Sequence, residues 1–209
     1  MRYLTTFRTF SADMELAVFT KFYDSPPVCR GEVLRYAGVR ECASELDGLV
    51  DECISLAEGQ TAFRVCYCEL PVSVCGDEVA MGCMKVASKS LSKNLAGCDS
   101  AVIFAATVGI ELDRLVARYS SVSPAKALIL QAIGAERIEC LCDTFNAEIA
   151  REQKTRPRFS PGYGDFPLEA QREIFALLDC PRRIGLTLND SLLMSPTKSV
   201  TAVIGISAK

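Results

Sequence analysis

Histidine is absent from this chain of 209 residues. That removes the commonest general base near neutral pH. It also excludes every serine–histidine and cysteine–histidine nucleophile pair. Missing too is any apolar run of the roughly 18–20 residues that a membrane span needs; the stretch 101–110 has the length of a buried strand. There is no basic excess. The 23 Lys and Arg face 26 Asp and Glu, and a net charge of −3 gives no footprint for nucleic acid. Arg2 and Arg8 are not followed by an apolar core and cleavage site, so no signal peptide is expected. No low-complexity tract, linker or internal repeat breaks the chain. With 49% apolar residues it reads as globular, and its length predicts one domain, 1–209, with a sizeable core.

Eleven cysteines stand in place of the missing histidines, and no Cys-x-x-Cys occurs. An odd, scattered set without a secretory signal reads as reduced thiols in the cytoplasm. Cys66 and Cys68 share one face of a strand, whereas Cys140 and Cys142 point to different sides of a helix. Convergent thiolates are what a metal or cluster requires. Small apolar packing is the expected role instead, and no metal site is assigned.

The pattern along the chain predicts a mixed α+β domain: a mostly antiparallel, twisted sheet with helices packed on it. Residues 1–28 carry Phe7, Phe10, Leu16, Val18, Phe19 and Phe22 and end at Ser25-Pro26-Pro27, an arm or short strand with a proline stop. Helices are expected over 31–36, 45–57, 88–95 and 110–119. The alternation in 61–74, the turn signal Cys75-Gly76-Asp77-Glu78 and the run 79–86 read as one hairpin. The continuous apolar run 100–108 belongs at the centre of the sheet. Thr107-Val108-Gly109 leads into a helix, either an ordinary strand–helix turn or an anion site.

Ser123-Pro124 starts a long helix reaching about Arg151. Leu128, Ala132, Ala135, Ile138, Leu141, Cys142, Phe145 and Ile149 form its buried stripe. Glu139 and Asp143, four apart, share a face; they are a solvated surface or a pair that welcomes a cation between them. A second helix follows from Leu168 and ends at Cys180-Pro181. Short strands are expected over 184–188, 192–194 and 199–206, the last two joined around Pro196-Thr197-Lys198.

Between the two helices lies Arg158-Phe159-Ser160-Pro161-Gly162-Tyr163-Gly164-Asp165-Phe166-Pro167. Prolines and glycines shape this loop and leave main-chain groups free to point outward. It is a simple connection or the frame of a site for a small polar ligand. Tyr163 is a wall, a stacking surface or a buried anchor.

Arg158, Pro161, Gly162 and Tyr163, followed after a helix by Met194, Pro196, Ser199 and Val200, resemble the C-terminal activation domain of cobalamin-dependent methionine synthase. The likeness is strongest over 156–206. Free-standing versions of the domain also carry the segment found here from Pro196 to Gly205, and the Glu-Val-Leu-Arg-Tyr of 32–36. This resemblance implies S-adenosylmethionine as the bound cofactor. Arg158 would meet its carboxylate, and Ser160 and Gly162 would contribute backbone contacts. Glu139, with Glu136 as the fallback, would face the cationic end. Three departures stand out. Gly164 replaces a proline, Phe166-Pro167-Leu168-Glu169 replaces a Cys-Pro-x-His segment, and the family's tyrosine on the last strand falls at Ile204 or has no counterpart. If the family's missing histidine contacts the cobalamin partner, docking here must differ, while the tyrosine departure bears on the pocket.

The resemblance also implies a mechanism. Oxidised, inactive cobalamin would regain its methyl group from S-adenosylmethionine with an electron from a flavodoxin-like or ferredoxin-like donor. No side-chain acid or base is required, because the cofactors supply the chemistry and the protein supplies orientation. The Asp-x-His-x-x-Gly motif that ligates cobalt in that family does not occur. The expectation is therefore a reactivation module serving a separate methionine synthase or other corrinoid protein. The alternatives are a module that senses S-adenosylmethionine without transferring methyl, and a structural subunit of another corrinoid methyltransferase system.

Overall fold

The apolar run at the centre of the sequence forms a strand, Ser100–Thr107, in which every residue after Ser100 is buried. It pairs antiparallel with Phe63–Cys75 on one side and with Ser199–Ser207 on the other. The structure, a computed structural model, describes residues 3–9, 15–39 and 44–207. In chain order these hold β1 (Tyr3–Thr9), β2 (Glu15–Tyr23), α1 (Arg30–Tyr36), α2 (Ser44–Ala57), β3 (Phe63–Cys75), β4 (Glu78–Met81), β5 (Met84–Ala87), α3 (Lys89–Leu95) and β6 (Ser100–Thr107). There follow α4 (Glu111–Ser120), α5 (Pro124–Glu152), β7 (Lys154–Thr155), α6 (Ala170–Leu178), α7 (Cys180–Ile184), β8 (Thr187–Leu188), β9 (Met194–Ser195) and β10 (Ser199–Ser207).

The main sheet has the order β1-β2-β3-β6-β10-β7, and every pairing in it is antiparallel. Strand side chains alternate between faces, and here both faces are covered. Phe63 and Val65 of β3, Val102, Phe104 and Ala106 of β6, and Ala202, Ile204 and Ile206 of β10 form one core with α1, α2, α4 and α5. Cys66, Cys68 and Leu70, with Ala101, Ile103, Ala105 and Val203, form the other with α3, α6, α7 and the β4–β5 hairpin. Burial on two sides is why β6 reads as a continuous apolar run. Phe145 of α5 packs 5.0 Å from the Phe104 ring and 5.1 Å from the Tyr67 ring, locking the long helix to the sheet.

The α+β class and the antiparallel sheet match expectation, and several local readings are corrected. The arm of 1–28 contains two paired strands, β1 and β2; Phe10 lies outside the described residues. The return strand of 79–86 is two strands. Gly82 adopts φ +57° between Met81 and Met84, so the chain turns twice. Leu128 is 55% exposed and not part of the buried stripe. Ser123 begins α5 without a side-chain cap. Cys180-Pro181 starts a helix, α7, after a left-handed turn at Asp179 (φ 52°). Residues 184–188 are consequently helix end and the two-residue β8, which pairs with β9 and not with β10.

Candidate functional site

The site grows from the edge of β10. After β7, Arg156 N–H donates to the Gly205 carbonyl at 2.8 Å. Phe159 then exchanges both backbone hydrogen bonds with Val203, at 2.8 and 2.9 Å. The segment entering the loop is thereby an extra, irregular rung on the sheet. Pro161, which has no N–H, cannot continue the pairing, and the chain peels away.

Beyond that point the loop closes on itself. Gly162 N–H donates to the Phe166 carbonyl (2.8 Å), Tyr163 N–H to that of Ser160 (3.1 Å) and Phe166 N–H to that of Tyr163 (3.0 Å). These groups do not point outward as the composition had suggested. Phe166 is buried and stacks on Phe159 with ring centroids 6.2 Å apart. Asp165 pins the far side. It accepts from the Ser88 hydroxyl at 2.6 Å and from the Lys89 and Ser90 amides, each at 2.9 Å, in the first turn of α3. Those bonds, led by the Ser88 hydroxyl, hold its carboxyl well below the usual range. The approach is so close that a Cβ on Gly164 (φ +56°) would stand 2.6 Å from Ser90 Oγ.

Arg158 leaves the rung towards α5. One guanidinium nitrogen lies 2.5 Å from Asp143 Oδ1, and another donates to Glu139. Arg158 is thus the cation that the two like charges on α5 call for. Burial opposes its charge, but the hydrogen bond with Asp143 and the charge of Glu139 outweigh it and hold its pKa above the ordinary value.

Loop, α5, α6 and β10 enclose a cavity of about 350 Å³. Glu139, Arg158, Ser160 and Tyr163 line it, as do Gln171, Met194 and Thr201. Tyr163 is 67% exposed, so it is an outer wall and not a buried anchor. Ser199 also borders the cavity, but its hydroxyl donates to the Pro196 carbonyl at 2.8 Å and sits 2.8 Å from the Thr107 hydroxyl.

Two of the expected contacts are placed differently. Gly162 sits in the loop but outside the cavity lining, with its N–H already engaged. Glu136 is three residues from Glu139, about 60° around α5, and that rotation is enough to turn it from the cavity towards the segment before α1. It is buried, accepts from Arg137 at 2.5 Å and from the Cys29 amide at 3.1 Å, and does not line the cavity. Arg137 in turn reaches the Pro26 and Pro27 carbonyls. This buried pair fastens the segment before α1 to α5.

The helix start after Gly109, the alternative anion site, is acidic, which disfavours a bound anion there. Glu111 and Asp113 stand in the first turn of α4, and Asp113 accepts from the Thr197 amide and hydroxyl at 2.7 Å. Ile204 is buried in the core under α5. Nothing in the sequence pattern marks Gln171 or Thr201 as cavity residues. Thr201 lies within the segment from Pro196 to Gly205, and only the strand register shows which way it faces.

No curated protein matches this chain in sequence. Among solved structures, the "Crystal Structure of the MetH Reactivation Domain bound to AdoHcy" superposes with a TM-score of 0.67. The match covers 90% of this chain and 78% of that one at 16% identity, so it speaks to the fold. Residues 91–209 match the family described as vitamin B12 dependent methionine synthase, activation domain. That stretch includes β6, α5, the loop, α6 and β10, which together carry the cavity. The chain belongs to the family of vitamin B12-dependent methionine synthase activation domains.

Proposed function

We propose that the chain binds S-adenosylmethionine in the cavity beside Arg158 and acts as a reactivation module for a corrinoid protein. The observation that carries this reading is the convergence of Arg158, Glu139, Ser160 and Tyr163 on one cavity in a chain of this family. The solved neighbour of the same fold has AdoHcy bound. Arg158 offers a planar fork that suits a carboxylate. Glu139 supplies the negative charge that a sulfonium or ammonium group needs. Tyr163, standing exposed at the rim, covers the ligand's outer side.

A cobalamin-binding methionine synthase or related corrinoid protein is the partner in this reading. A flavodoxin-like or ferredoxin-like protein of the same cytoplasmic compartment is the electron donor. One electron and the sulfonium methyl group together restore the methylated corrinoid, with S-adenosylhomocysteine leaving. The chain's own residues bind and aim the sulfonium; none is required to move a proton. A sensing role without transfer is the second reading. It is favoured by the engagement of Arg158 with Glu139 and Asp143, because ligand entry then changes the charge pairing on α5.

Calorimetric titration with S-adenosylmethionine tests the binding step. Wild-type protein should bind, and Arg158→Ala should bind about ten- to a hundredfold more weakly. Absence of binding at millimolar ligand, with and without a cobalamin-loaded partner, would sink the proposal. Methyl turnover with that partner and a reduced flavodoxin separates reactivation from sensing.

A further inference from the structure

Two buried oxygens on the walls of this cavity have no hydrogen-bond partner: Gln171 Oε1 and Thr201 Oγ1. Gln171 is 5% exposed and Thr201 is 2% exposed. A buried polar atom left unpaired costs about 1–3 kcal/mol, so its persistence calls for an explanation.

The backbone of Thr201 adds to this. In an antiparallel ladder, residues two apart send their N–H and C=O groups to the same side. Val203 bonds to Phe159 on the loop side, and Val108 N–H bonds to the Lys198 carbonyl on the β6 side. Odd-numbered residues of β10 therefore face the loop. The N–H and C=O of Thr201 point to that edge too, where the register falls on Pro161, which has no donor to give. Thr201 thus offers a peptide N–H, a carbonyl and a hydroxyl at one place, and Gln171 offers an amide from the first turn of α6.

These groups are neutral, whereas Arg158 and Glu139 on the α5 side are charged. The cavity is divided into a charged pole and a neutral pole. Resting on the function proposed above, we propose that Thr201 and Gln171 recognise the nucleoside half of the ligand, accepting from its hydroxyl and amino groups. Arg158 and Glu139 take the amino-acid half. The nucleoside is neutral and rich in donors, which is the complement of the unpaired oxygens. Discrimination of this kind is strong because an analogue without the donors leaves the oxygens stranded.

Two probes separate the poles: S-adenosylhomocysteine and 5′-methylthioadenosine, which keeps the nucleoside and lacks the amino-acid end. Thr201→Val and Gln171→Met should each weaken both probes about three- to tenfold. Arg158→Ala should weaken S-adenosylhomocysteine and leave methylthioadenosine unchanged. Without ligand, Thr201→Val and Gln171→Met should unfold no earlier than wild type on heating, because each removes a stranded atom. A merely structural role predicts the reverse: lower melting temperature and unchanged affinity. Unchanged affinity of both variants for both probes would overturn the proposal while the function proposed above stands. So would wild-type binding of S-adenosylhomocysteine with none of methylthioadenosine at millimolar concentration. Wild-type failure to bind either probe would remove the function proposed above and this inference together.

Discussion

Arg158 and Glu139 form an ion pair across the wall of the cavity, joining the loop to the long helix. A ligand carboxylate that takes Arg158 competes with the arginine's present partners, Glu139 and Asp143. Asp143, the second of these, is 71% exposed at its side chain, against 40% for Glu139. The better-hydrated contact is the one to give way. Exposed pairs are worth about 0.2–1 kcal/mol. Asp143→Asn is therefore expected to tighten S-adenosylhomocysteine binding by up to about fivefold, with Glu139→Gln weakening it. Titration of both variants at two ionic strengths checks this, and weaker binding by Asp143→Asn would contradict it.

Asp165 is expected to set the acid limit of loop order. Its carboxyl is depressed by the Ser88 hydroxyl and the Ser90 and Lys89 amides. A depressed carboxylate contributes stability above its ordinary value of 3.8, and the contribution fades as pH falls below that value. Thermal melts from pH 6 down to pH 3 should fall more steeply for wild type than for Asp165→Asn, which lacks the contribution throughout. Amide exchange at Ser90 should be faster in the variant at neutral pH. Identical slopes would show that the loop is held by other means.

The second ionic link across layers is Lys21 of β2 with Glu148 of α5, at 2.5 Å, with the Tyr23 hydroxyl 2.6 Å from the same carboxylate. Burial opposes both charges. The Glu148 bond nevertheless raises Lys21, and the Lys21 and Tyr23 bonds lower Glu148. The Glu148 contribution is present above 4.5 and lost as pH falls below it; that of Lys21 is present below 10.5 and lost above it. Glu148→Gln should cost about 1.5–3 kcal/mol near neutrality, or about 3–12 °C in Tm. The loss should shrink at both pH extremes. A loss that does not vary with pH would assign the effect to packing.

Thiol labelling should sort the cysteines by layer. Cys29, Cys75 and Cys83 are exposed, while Cys53, Cys66, Cys68, Cys142 and Cys180 are buried. Burial pushes the Cys68 and Cys142 thiols up to about 12. The Cys66 thiol, 3.9 Å away, and burial raise Cys180 as well. Thiolate is the reactive form, so iodoacetamide at pH 8 should modify the exposed three in native protein. The buried five should react only after denaturant is added. Mass mapping of the adducts decides it.

What could be read from the residues follows the strength of the local signal. The 100–108 run announced a central strand because a strand buried on both faces has no polar positions. The long helix was legible from Ser123-Pro124 onward, and Glu139 with Asp143 from their four-residue spacing. The second turn at Gly82 was hidden because the residues around it, Met81 and Met84, alternate no differently from a continuous strand. α7 was hidden because Pro181 reads equally as a helix stop or a first-turn proline. Glu136 and Glu139 look alike in sequence; packing puts one in a buried pair and the other on a cavity. The polarity of Thr201 became informative only through its register against Phe159 and Ala105.

The loop that frames the cavity is tied at one end by the Phe159–Val203 rung and at the other by Asp165 on α3. Fixing a residue's backbone costs on the order of 1–2 kcal/mol, and for these residues that cost falls in folding, before any ligand arrives. A ligand is met by a wall already standing, so its affinity is a matter of exchanged partners and not of ordering a segment. The entropy of the site is written into the stability of the sheet.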